Sequence, residues 1–207
     1  MALTELSMAL WLIFFCFSVG FGILMIRKAL GPDLERPQRE YYIGMAIFIF
    51  VHLVARIFYF YYDFIDINEF YWDLGAIIGL LGIVFVLYAI ERNIFTRSKF
   101  LFTITTLIFI LMLIILPPYI KPYLQTIIVS IIGIFLPLIY VYVGIKSHGN
   151  IRKNSLLIAV GILIFLIGQT AHSATFFTTA VFIYFIISPI CIIIGGFIFF
   201  YGLIRPS

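Results

Sequence analysis

Charge is scarce along this chain, and cysteine and histidine are scarcer: Asp, Glu, Lys and Arg make up 11% of 207 residues, beside two Cys and three His. A water-soluble domain carries about one quarter charged residues, so a soluble globular fold is excluded. Cys16 and Cys191 both lie in apolar runs, which argues against a disulfide framework and a metal site alike. No lysine interrupts a long apolar run, so a Schiff-base nucleophile inside a helix is excluded. The interiors of those runs also lack Asp and Glu, which removes the usual carboxylates of a proton relay or a cation-coupling site. Paired carboxylates, a His-Glu-x-x-His motif and a Ser-His-Asp order are missing too. The chain is therefore expected to be no enzyme and to need no cofactor.

What is there is apolar. Hydrophobic residues make up 64% of the chain, and the mean hydropathy is +1.21. Crossing a bilayer takes about 20 apolar residues as a helix, and such runs fall at about 6–26, 41–62, 74–90, 100–116, 124–145, 155–174 and 180–203. The sequence predicts an all-α integral membrane protein, a seven-transmembrane-helix up-and-down bundle with residues 1–207 as one domain. Little chain remains for a soluble domain. The first run follows Glu5 instead of a basic segment and ends at Arg27-Lys28, so it is expected to be retained as an anchor helix.

Orientation is read from the basic residues. All thirteen except Lys121 and Arg56 sit in every second break: Arg27, Lys28, Arg36 and Arg39; Arg92, Arg97 and Lys99; Lys146, Arg152 and Lys153; and Arg205. Cytoplasmic flanks collect Lys and Arg, which predicts an N-terminus outside and a C-terminus inside. The net charge of +4 then faces an anionic leaflet and is no nucleic-acid footprint. A multi-pass protein of a cell membrane, with lipids among its partners and nucleic acid not among them, is the expectation.

Finer punctuation sits on this frame. Pro137 and Ser188-Pro189 fall inside spans, where a missing backbone donor is expected to kink the helix. Gly75, Gly79 and Gly82 share nearly one face of the third span and let another backbone approach. The break before that span is acidic, with Asp63, Asp66, Glu69 and Asp73 around Tyr71-Trp72. Glu91-Arg92 closes the span at a helix end, where charged pairs are commonplace.

Arg56 is the one basic residue inside an apolar run. Arginine at a helix centre costs about 2.5–3.5 kcal/mol on insertion scales, less near an interface. Two accounts stand side by side. In one, its stem snorkels to the outer interface and meets Asp63. In the other, it faces an outward-opening pocket and binds an anion. His52 lies four residues earlier on the same helix face. Gln169 and His172 end the sixth span at comparable depth, and Tyr184 descends on the seventh. Arg56, His52, Gln169, His172 and Tyr184 are the candidate ligand-binding residues. Axial ligation of a haem would require His52 and His172 level on adjacent helices. Their unequal depth favours ordinary buried imidazoles.

Three stretches, Arg56 to Tyr62, Tyr71-Trp72 and Phe85-Val86-Leu87-Tyr88-Ala89-Ile90-Glu91-Arg92, give the second and third spans a pattern that resembles the seven-helix sensor modules preceding prokaryotic histidine kinases. Such modules lead into a cytoplasmic output domain, whereas this chain stops at Arg205-Pro206-Ser207. The resemblance implies that a signal passes to a separate cytoplasmic or membrane partner. Size and topology are also similar to small seven-helix sugar carriers and Golgi receptors, although the Pro-Gln dipeptide occurs only as Pro37-Gln38, in a loop. The expected function is a receptor-like or sensor-like module for an amphiphilic or anionic small molecule. A small uniporter or lipid-handling carrier is one alternative. A structural subunit, presenting the glycine face of the third span to a partner, is the other.

Overall fold

The computed structural model describes residues 2–32, 34–117, 120–172 and 179–204. Its helices are α1 (Ala2–Ala29), α2 (Arg36–Phe64), α3 (Glu69–Asn93), α4 (Leu101–Ile115), α5 (Lys121–Lys146), α6 (Gly149–Ala171) and α7 (Ser188–Ile204). A 3-10 turn at Thr96–Ser98 precedes α4, and a π turn at Ile183–Ile187 runs into α7. Among the described residues there is no strand. Six helices, α1, α2, α3, α5, α6 and the π turn with α7, are long and apolar enough to cross a membrane. The chain is a helical, multi-pass membrane protein.

The helices extend beyond the expected apolar cores because their polar ends continue the same backbone hydrogen bonding. The second run, expected from 41, starts at Arg36 with Pro37 in its first turn, where a missing N–H costs nothing. The sixth, expected from 155, starts at Gly149, whose φ of +62° suits the one residue type without a Cβ. Its expected end at 174 lies outside the described residues, as do Pro118 and Arg205-Pro206-Ser207. The fourth run differs in the other direction. α4 has 15 residues, about 22 Å of rise against the ~30 Å of a hydrocarbon core.

α4 buries Thr103 and Thr106 together with Ile110 and Leu113, while Leu101, Ile104, Leu111 and Ile115 are exposed. Water punishes that arrangement and lipid does not, so the exposed apolar face is what a membrane solvent selects.

The chain divides into two compact units, Phe15–Gln125 and Met1–Phe14 with Thr126–Ser207. In the first, α2 and α3 form an antiparallel pair at close range. A Cβ on Gly44 would stand 2.6 Å from the Ala89 Cβ, and one on Gly75 would stand 3.1 Å from the Ala55 carbonyl oxygen. Gly75, Gly79 and Gly82 therefore face α2, which overturns the expectation that this glycine face is presented to a partner. Helix association in lipid gains little from apolar burial and relies on such close packing. In the second unit, α6 and α7 approach closer still. A Cβ on Gly161 would lie 2.4 Å from the Phe199 nitrogen, and one on Gly195 would lie 2.3 Å from the Phe165 nitrogen.

The two prolines act differently. Pro137 lies inside α5, which continues through it. Pro189 follows directly on the π turn. A proline ring collides with the carbonyl four residues back, and widening the preceding turn is one way a helix absorbs it.

Candidate functional site

Arg56 is 1% exposed, the largest fully buried side chain among the described residues. Its Nε donates to His52 Nε2 at 3.3 Å, and its guanidinium carbon stands 5.2 Å from the centre of the Tyr59 ring. Arginine has donors only, so His52 Nε2 accepts and the imidazole carries its proton on Nδ1. The buried guanidinium thus lies between His52, one turn before it, and Tyr59, one turn after it. Side chains leave a helix tilted toward its N-terminus, and on α2 that direction leads away from the acidic loop.

α3 makes the space. Tyr59 lies over Gly75, where a Cβ would meet its ring at 3.2 Å. Trp72 closes edge-on against Tyr59 at 4.9 Å and against Tyr62 at 5.2 Å. Phe48 covers the other side of His52 at 5.5 Å. A hydrogen bond from a charged donor is worth about 1.5–3 kcal/mol and a desolvated cation–π contact up to about 2. Together they offset the insertion cost of the charge and hold the cation in a fixed place.

The other three candidates belong to the second unit. His172 caps the C-terminus of α6, its backbone N–H reaching the Gly168 and Gln169 carbonyls at 3.0 and 3.2 Å. Its ring stacks on Tyr184 at 4.3 Å with an interplanar angle of 21°, and Trp11 meets it edge-on at 5.2 Å. The Tyr184 hydroxyl lies 3.4 Å from His172 Nε2. Tyr184 is fully buried and sits in the π turn. Gln169, half-buried, lies one turn before His172 on α6. Each histidine thus has its Nε2 beside a named neighbour, Arg56 or Tyr184. Among the described residues no three His, Cys, Asp or Glu side chains group as a metal site.

One group read only as part of a helix-end charged pair has further partners in the structure. Glu91, 2% exposed, reaches from the end of α3 to the start of α4. One carboxylate oxygen accepts from the Phe102 N–H at 3.0 Å and the other from the Thr103 N–H at 2.8 Å and from the Thr103 hydroxyl. A carboxylate there satisfies orphan donors and complements the positive helix end. Beside it Arg92 bonds the Tyr88 hydroxyl at 2.6 Å and pairs with Glu40 at 2.9 Å, tying α3 to α2. The sequence signal was a carboxylate one turn short of a connection whose far side offers a threonine. At the opposite end of α3, Lys121 pairs with Asp73 at 2.6 Å.

Set against protein-family models, curated proteins and solved structures, the chain matches none.

Proposed function

We propose that this protein is a seven-span bundle of a cell membrane, N-terminus outside, acting without enzymatic chemistry as a receptor-like or sensor-like module for an anionic or amphiphilic small molecule. The observation that carries the reading is Arg56: a cation at 1% exposure, positioned by His52 and Tyr59 inside an apolar run of α2. A fixed, desolvated guanidinium is a strong anion-recognition group. His172, Tyr184 and Gln169 supply a second set of recognition groups in the other unit. A ligand-driven change would pass to a separate partner through the basic loops. The charge pattern supports the orientation, with Lys121, paired to Asp73, as the one basic residue in the alternate breaks.

The test is a native mass spectrum of the chain extracted gently from its own membranes. A reproducible small-molecule adduct that disappears in Arg56→Met supports the reading and identifies the ligand class by mass. An adduct that persists in the folded variant, or none in either protein, overturns it.

A further inference from the structure

The first hairpin holds a groove that plays no part in the Arg56 site. Ile26 of α1 and Leu30 just past its end, with Ile43, Ala46, Ile47 and Phe50 of α2, line an apolar cleft of about 410 Å³. Small-molecule sites occupy about 300–1,000 Å³. Phe50, one of its lining residues, is seated on Gly22, at which a Cβ would stand 2.6 Å from the ring. Toward the connection between the helices the cleft is flanked by Leu30 at 76% and Ile43 at 43% exposure, surfaces that a membrane protein turns to lipid tails.

Cations stand at the mouth. Arg39 precedes Ile43 by one helical turn, on the stripe that lines the groove. The Lys28 ammonium crosses from α1 to lie 4.6 Å from the centre of the Tyr42 ring, and Arg27 beside it is exposed. Arg36 is engaged by Glu40 at 2.9 Å and is left out of the set. An apolar slot of this size, with three cations carried on the last turn of α1 and the first turn of α2, is complementary to one molecule in particular. Its acyl chain fills the slot and its phosphate meets the cations, as at basic pockets between membrane helices.

We propose that the α1–α2 groove is a binding site for an anionic phospholipid of the adjoining leaflet, with its phosphate held by Lys28, Arg39 and Arg27. The site is separate from Arg56 and stands whether or not Arg56 binds a ligand.

The full chain is incubated in mild detergent with equimolar phosphatidylglycerol and phosphatidylcholine of identical acyl chains, and retained lipid is read by native mass spectrometry. Phosphatidylglycerol should be retained over phosphatidylcholine by about a hundredfold, as three cations at roughly 1 kcal/mol each imply. The triple variant Arg27→Gln, Lys28→Gln, Arg39→Gln should bring the two lipids level. Ile43→Trp, at an exposed position that leaves the core untouched, should fill the slot and reduce retention of both. Equal retention in the native chain, a preference that survives the triple variant, or full retention in Ile43→Trp would each overturn the proposal. Circular dichroism of every variant establishes that the helices persist.

Discussion

A side chain on an α-helix leaves its Cα tilted toward the helix N-terminus, and at Arg56 that tilt sends the guanidinium back to His52 at 3.3 Å. The geometry separates stability from binding. Replacing a buried charge by an apolar side chain of similar length is often neutral or stabilising, while the His52 acceptor left behind costs about 1–3 kcal/mol. Arg56→Met should therefore insert normally and keep its unfolding midpoint within a few degrees in detergent, even as ligand is lost. A large fall in the midpoint would make Arg56 a structural residue. Glu91 is the opposite case. Glu91→Ala leaves the Phe102 and Thr103 N–H groups without their acceptor and should cost about 2–4 kcal/mol. Glu91→Gln keeps one acceptor oxygen and should cost about 1–2. Denaturant unfolding in micelles, with hydrogen exchange at these two amides, measures both. Equal stability of the three proteins would remove the cap from the account.

At the scale of the element, glycine spacing sorts the helix pairs. Gly161 and Gly168 on α6, and Gly195 and Gly202 on α7, each lie seven residues apart, two turns on one face. A Cβ on Gly195 would stand 2.3 Å from backbone, which no rotamer change relieves. Gly195→Ala should cost at least the 1–3 kcal/mol of an overpacked core. Gly79→Ala meets only the Ala55 Cβ, at 3.7 Å, and should be neutral or gain up to about 1 kcal/mol from helix propensity. The reverse order in thermal unfolding would contradict the close α6–α7 crossing. The glycines of α3 were legible because three fall on one face within eight residues. Those of α6 and α7 were not, because their repeat shows only when two helices are aligned antiparallel. The apolar runs were legible from hydropathy alone. Pro189 was legible as a disruption, but its form, a π turn that places Tyr184, depends on how the neighbouring helix fills the space. The pairing of Tyr184 with His172 needed tertiary structure, since depth along a helix carries no information on rotation about it.

For the whole molecule, the number of crossings turns on α4. Its 15 residues rise about 22 Å, too little by length alone for a ~30 Å core. Both ends of this segment are nevertheless pinned to α3. Glu91 holds its start through Thr103, and Lys121 just past it pairs with Asp73. The rise from Asp73 to Glu91 is itself about 27 Å, and the two pins lie at its two ends, which supports the proposed seventh crossing. Hydrocarbon penalises unsatisfied backbone donors, and Glu91 supplies acceptors where a short helix would start below the interface. The charge pattern agrees, because a re-entrant α4 would put Lys146, Arg152 and Lys153 on the wrong side. The decisive measurement uses single cysteines, Arg97→Cys and Tyr123→Cys, both at exposed positions, with Cys16→Ala and Cys191→Ala in the background. A membrane-impermeant maleimide applied to intact cells should label Tyr123→Cys at once and Arg97→Cys only after permeabilisation. Labelling of both from one side would mean that α4 does not cross, leaving six spans and both termini on the same face. In that event the orientation would have to be drawn afresh from the loops beyond α5.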